Sequence, residues 1–322
     1  GQRPTHLIGP AMHLSAAEIG KLFAEKLGVA YTEVPEALLA EARKRLRQDY
    51  LDAQIGVSGV NFGVAETGTI VVVENEGNGA LTMAAPPVHV AVLGIEKLLP
   101  RMADLPVFLN VLARSGTGQA LSTYTHFIQG VEPPRELYVI LLDNGRTSIL
   151  ADRAARQALY CIRCGACLNV CPVYRRAGGW AYGWVYPGPI GAVTTPHLVP
   201  LELSGELPFA SSLCGACQEA CPVKIDIPHQ LLHLRHVAVT RPSPMRSRGE
   251  RLVWRLWSWA MRGRRRYRLF TWLGLRVGLP LAWWSPWKPG KPGAWLRAWE
   301  RGRDLPEVPA QSFKAWWRSR KS

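Results

Sequence analysis

Residues 161–172 read Cys161-Ile162-Arg163-Cys164-Gly165-Ala166-Cys167-Leu168-Asn169-Val170-Cys171-Pro172, a C-x2-C-x2-C-x3-C-P run. Three thiols at three-residue spacing can cap three corners of one iron–sulfur cubane in a tight loop. The fourth is carried onward, to the other cluster of a two-cluster ferredoxin-type fold. The run therefore predicts a second segment, and Cys214-Gly215-Ala216-Cys217-Gln218-Glu219-Ala220-Cys221-Pro222 supplies it, with Ser211 standing where a first cysteine would be. Crossed ligation assigns Cys161, Cys164, Cys167 and Cys221 to a complete [4Fe-4S] site, and Cys171, Cys214 and Cys217 to a second site with three thiolates. That second site holds either a [3Fe-4S] cluster or a [4Fe-4S] cluster whose remaining iron takes Ser211, Ser212, water or a group from outside the chain. Structural zinc is the competing use of paired C-x2-C units, but four zinc ligands leave the longer run unexplained. All seven cysteines fall between 161 and 221, an odd and tight set unlike a secreted disulfide framework.

Upstream of the cysteines, residues 7–158 read as alternating helix and strand. Ser15-Ala16-Ala17-Glu18 has the form of a capping box, followed by an apolar helical pattern through Ile19, Leu22, Phe23 and Leu27. A second helix is predicted over about Glu36–Asp52, with Leu38, Leu39, Leu46 and Leu51 facing inward and Arg43, Lys44, Arg45 and Arg47 on a wet face. Buried strands are predicted at Gly59–Phe62, Thr69–Val73 and Val88–Leu93, and a further strand at Leu137–Leu142. Asn75–Gly79 reads as a turn cluster, Gly116-Thr117-Gly118 as a loop, and His89 as a hydrogen-bonded core histidine. Helices alternating with such strands imply a largely sandwiched α/β sheet. After Asp152 the strands stop. Residues 161–240 become a Gly/Pro-rich region of short helical pieces, and the aromatic stretch Gly178–Pro189 suits a cofactor cover better than a regular element. His229, His233 and His236 read as partly exposed helix residues.

The 322 residues carry a net charge of +15, unevenly spread. Residues 1–240 hold 19 basic and 20 acidic residues, and 241–322 hold 20 basic and 4 acidic. Any polyanion or membrane argument therefore concerns the tail, where 11 of the 13 tryptophans are interleaved with arginine. Leu269–Trp287 is apolar, but Arg276 and Pro280 interrupt it, so no membrane span is expected. An Arg/Trp helix can lie on an anionic membrane surface, dock on partner subunits, or pack over the cluster module. Nucleic-acid binding is disfavoured by the neutral body and the lack of a reader motif. The chain also lacks a GxGxxG fingerprint, a Walker A loop and an HExxH helix, which directs any hydride or flavin chemistry to another segment or subunit. The start, Gly1 to His6, has neither an initiator Met nor an apolar leader, and reads as a fragment boundary.

Several contiguous stretches carry a family resemblance: Gly59–Thr69, Asn75–Gly79, Leu141–Arg146, Cys161–Pro172, Tyr186–Ala192 and Ser211–Val223. With these the chain resembles the lactate-utilisation iron-sulfur protein B family, also described as the ferredoxin-containing subunit of the L-lactate dehydrogenase complex. The resemblance implies an α/β LUD domain, similar to the CoA-transferase and sugar-isomerase folds and partial here. A mainly helical two-cluster ferredoxin-type module and a basic Trp-rich tail would follow, dividing the chain at 1–152, 153–240 and 241–322. It implies a cytoplasmic electron-transfer subunit working beside a cysteine-rich subunit and a small LUD subunit to oxidise L-lactate to pyruvate, with an unspecified electron acceptor. By fold analogy Glu66 is the candidate catalytic carboxylate of a rival reading, acyl or CoA-type chemistry with structural or redox-sensing clusters. Closing a strand turn, or pairing with Arg146, is the plainer role for Glu66. A third reading makes the chain a scaffold assembling the complex through its tail.

Overall fold

Ser15 Oγ accepts the Glu18 N–H at 3.3 Å while Glu18 Oε2 accepts the Ser15 N–H at 2.8 Å, so the expected capping box opens helix α1, Ala16–Leu27. In this computed structural model residues 5–6, 9–240, 248–274, 276, 311 and 313–320 are described. Helix α2, Pro35–Asp52, starts one residue before the expected Glu36, with proline at its first position where no N–H is needed. Its arginines are solvated as expected, but of the predicted inward leucines only Leu38 is buried, and Leu39, Leu46 and Leu51 stand about half exposed.

Two small sheets follow in place of one sandwiched sheet. Strands β1 (Ile55–Gly59), β2 (Phe62–Val64) and β3 (Thr69–Glu74) lead into helix α3 (Asn78–Ala84). Strand β4 (Val88–Gly94), strand β5 (Leu98–Leu99), helix α4 (Leu105–Thr117), strand β6 (Tyr124–Ile128) and strand β7 (Glu136–Leu142) complete this part. A parallel sheet has the order β1-β4-β7, with Val57 opposite Val90 and Val90 opposite Tyr138. The other has the order β5-β2-β3-β6, with β2 and β3 antiparallel through Gly63 and Ile70. Only β4 is central in the parallel sheet, and its inward residues His89, Ala91 and Leu93 are buried. Its neighbours are edges, so Ile55, Val57, Tyr138, Ile140 and Leu141 are exposed despite their strand-core appearance. The turn cluster Asn75–Gly79 is the entry to α3, with Gly77 at φ 82 as N-cap, and Gly118 at φ 76 caps α4 rather than marking a loop.

Beyond helix α5 (Arg146–Ala151) no strand occurs among the described residues. Short helices α6 (Ala166–Asn169) and α7 (Pro172–Ala177) precede α8 (Gly188–Leu198), then α9 (Leu201–Ser204), α10 (Ala216–Glu219) and α11 (Ile227–Thr240). Helix α8 is the axis of this module: Gly188 to Pro196 are all buried, and Leu168, Leu207, Ile225, Leu231 and Leu234 pack around Ile190 and Val193. The stretch expected only to cover a cofactor thus opens a buried helix. A second core joins the four-stranded sheet to the first cysteine loop, because Phe62, Val64, Val71, Leu99 and Leu105 pack with Ile162 and Cys164.

Residues 244–322 cluster as a separate unit from 1–243. Within it, helix α12 (Arg248–Met261) and helix α13 (Arg264–Leu273) contact each other, and Arg266 lies 5.0 Å over the Trp259 ring. Trp254, Trp257, Trp259 and Trp272 are all about half exposed. Among the described residues no helix is long and apolar enough to cross a membrane. Most of the apolar stretch 269–287 lies outside the described residues.

Candidate metal centre

The two cysteine runs fold into two copies of one loop. The residues before Cys164 and Cys214, Arg163 at φ 65 and Leu213 at φ 55, are left-handed, and so are the glycines after those cysteines, Gly165 at φ 77 and Gly215 at φ 85. Glycine takes the second of these left-handed positions in each loop because it adopts a positive φ without the penalty a Cβ imposes. Helices α6 and α10 then start at Ala166 and Ala216. This alignment sets Ser211 opposite Cys161. The match extends to hydrogen bonding: Ser211 Oγ accepts the Leu213 N–H at 3.1 Å, and the Cys161 thiol faces the equivalent N–H of Arg163. Arg235 of α11 pins the serine segment, donating to Pro208 O at 2.9 Å and Ser211 O at 3.0 Å.

Cys161, Cys164, Cys167 and Cys221, from runs fifty residues apart, line one cavity whose other walls include Ile190, Val223, Ile225 and Ile227. Among the described residues no three His, Cys, Asp or Glu side chains close up as a single metal ion requires. Four thiols spaced around an apolar space suit a multi-iron cluster, whose sulfurs stand farther apart than zinc ligands. Burial pushes the Cys161, Cys164 and Cys167 thiols up, Cys167 furthest, and the Ile225 N–H points at Cys221 Sγ at 3.4 Å. Loading metal here must therefore release protons. The donor set, the walls and the amide N–H groups fit a [4Fe-4S] cluster.

The second set is more open. Cys171 caps α7, its sulfur accepting the Tyr174 N–H at 3.4 Å. Burial, with the Cys171 charge next, raises the Cys217 thiol to about 11, and Cys214 also acts on it. Cys214 itself is exposed, and the Ala216 N–H, then Ser212, lower its pKa. The Tyr182 hydroxyl is buried beside Cys171, and burial first of all, then the Cys171 charge, raises its pKa. A buried hydroxyl donor beside a thiol fits an electron-rich group bound at that position.

Glu66 is exposed on the β2–β3 turn, and its Oε2 accepts the Met102 N–H at 2.9 Å. It lines neither of the cavities that contain Cys161. Arg146 does not pair with it: Arg146 Nε meets Glu96 Oε2 at 2.5 Å, and Glu96 Oε1 lies 3.9 Å from Arg163. His229 and His236 are exposed on α11, and His233 faces Asp152 at 3.7 Å. His89 is buried, with Nε2 2.8 Å from Ser58 Oγ. Sequence reasoning missed the group formed by Glu96, Lys97, Arg146 and Arg163 beside Cys161. Burial and then the Arg163 charge lower the Lys97 pKa, and Arg163 stacks 4.2 Å over the Tyr186 ring.

Three family models match in succession: the LUD domain over residues 4–146, the 4Fe-4S dicluster domain over 157–225, and the C-terminal region of lactate utilisation protein B over 235–322. The chain is 40% identical to lactate utilization protein B of Oceanobacillus iheyensis over 98% of its own length and 67% of that protein's. It is 41% identical to the protein of the same name from Macrococcus caseolyticus, with the same coverage. A solved structure, a DUF162 family protein from Deinococcus radiodurans, covers 40% of this chain and 98% of its own at 22% identity, with a TM-score of 0.22 that is too low to bear on the fold. The dicluster match and the clustered cysteines together indicate bound iron–sulfur clusters.

Proposed function

The chain belongs to the lactate utilisation protein B family, and from that membership we propose that it is the iron–sulfur electron-transfer subunit of a complex oxidising L-lactate to pyruvate. The observation that carries this reading is the convergence of Cys161, Cys164, Cys167 and Cys221 on one cavity. Iron–sulfur clusters held there supply one-electron chemistry. The protein's own part is to exclude water with Ile190, Ile225 and Ile227, to aim amide N–H groups at the sulfurs, and to hold the second set of thiols beside the first. Two cluster sites follow, with Cys171, Cys214 and Cys217 at the second. Ser211 Oγ is favoured there as the fourth group, because it repeats the hydrogen-bonding position of the Cys161 sulfur. The partners in this reading are a cysteine-rich subunit and a small LUD subunit in the cytoplasm, with the Arg/Trp tail as the contact for them or for a membrane surface. Acyl or CoA chemistry at Glu66 remains the rival, supported only by the exposure of that carboxylate.

Anaerobic iron and sulfide analysis with EPR tests the reading. About eight irons per chain and two reducible cubanes are expected. Ser211→Cys should preserve the iron content and move only the second site's signal, whereas Ser211→Ala should yield about seven irons with an oxidised three-iron signal. Zinc in place of iron, or turnover by the chain without any partner, would sink the proposal.

A further inference from the structure

A second cavity, of about 440 Å³, adjoins the first cluster site from the side of the four-stranded sheet, and Cys161 is in its wall. Its lining is largely apolar: Phe62, Leu98, Leu99, Phe108 and Leu159 supply most of it. Phe62 and Phe108 stand 5.6 Å apart with planes tilted 45°. The size and the apolar character are those of small-molecule sites rather than of packing defects.

The polar groups in the lining are few, and they point to one kind of ligand. Lys97 Nζ donates to Val60 O at 3.1 Å, which uses one of its N–H groups. Asn61 Oδ1 is taken by the Val73 N–H at 3.0 Å, which turns the amide nitrogen into the available part of that side chain. Glu96 is already bound to Arg146 at 2.5 Å, so its charge is answered within the protein. The lining thus presents N–H donors, the Tyr160 hydroxyl and aromatic faces, and Lys97 is its one cation. A nucleotide-bearing flavin would leave its phosphate unmatched. A three-carbon hydroxy acid would leave most of the apolar wall bare. A flat, uncharged ring carrying carbonyl oxygens satisfies all of these features.

We propose that this cavity binds a quinone, with its ring against the packed Phe62–Phe108 pair, a carbonyl oxygen on Lys97 Nζ, and its edge against Cys161. Reduction of such a ring to the quinol takes two electrons and two protons. The electrons come from the relay on which this inference rests, and the two protons come from solvent, one to the carbonyl oxygen that Lys97 holds and one to the opposite carbonyl oxygen.

The test uses the full chain with its clusters loaded, under anaerobic conditions, and menadione as the probe. Equilibrium dialysis should give saturable binding of one menadione per chain. Lys97→Met should weaken it about tenfold, the loss expected for one hydrogen bond to a charged or strongly polar donor. Lys97→Arg should retain most of the affinity, and Leu98→Trp, at the half-exposed rim, should block binding by filling the space. Iron content and far-UV circular dichroism measured on each variant identify any that fail to fold. Absence of saturable binding to a wild-type chain with reducible clusters would overturn the quinone site and leave the relay standing. Equal binding by all variants, or displacement of menadione by flavin mononucleotide or lactate, would also overturn it. Clusters that cannot be reduced would strike at the relay itself, not at the cavity.

Discussion

His89 shows how one residue ties the sheet to pH. It is buried at the middle of β4 against Ser58, and burial, with the Arg135 charge second, lowers its pKa below the ordinary 6.5. The unfolded chain therefore binds a proton that the folded chain refuses. The stabilisation is complete above pH 6.5 and is lost progressively as the pH falls below that value. The thermal midpoint should drop on acidification through this window, and His89→Gln should flatten the slope when unfolding is followed by circular dichroism. His6 and His197 shift in the same direction for the same first cause, so part of the slope should remain. An unaltered slope in the variant would remove His89 from the account. The cysteines that line the first cavity were the most legible residues, because cluster chemistry demands their spacing along the chain. The group of Glu96, Lys97, Arg146 and Arg163 was invisible, because its members come from three distant segments and meet only through the fold.

Helix α8 carries the module, and it is also the element the sequence hid best. Sequence periodicity reports a helix when one face is wet, whereas Gly188 to Pro196 are buried on every side and present no alternation to detect. Gly191 allows the close approach: a Cβ there would meet the Tyr186 carbonyl oxygen at 1.7 Å. Gly191→Ala should cost at least about 1–3 kcal/mol, in the range of overpacking, and lower both the unfolding midpoint and the iron retained per chain. A variant with wild-type stability and iron content would refute the role given to this contact. The strands illustrate the opposite error. Strand β7 is apolar from Leu137 to Leu142, yet it ends the three-stranded sheet, and its Tyr138, Ile140 and Leu141 stay exposed. Apolar composition identified the strand correctly and could not say which strand would be an edge.

At the scale of the whole molecule, the three buried clusters found among the described residues all lie before 240, and 244–322 forms its own unit. Truncation after Ser243 should therefore leave the iron content and both cluster signals intact, as measured by iron analysis and EPR. Loss of iron on truncation would mean that the tail completes the cluster module. Charge arithmetic separates a neutral body from a cationic tail by composition, while the junction between the sheets and the cysteine loops has no such signature. That junction is built from Ile162 and Cys164, which belong at once to the sheet's core and to the first cysteine loop. Oxidative destruction of the first cluster would consequently do more than interrupt electron flow. It would loosen the seam that the sheet leans on, so that the damaged chain becomes a substrate for quality-control proteolysis and redox failure is converted into turnover of the protein itself.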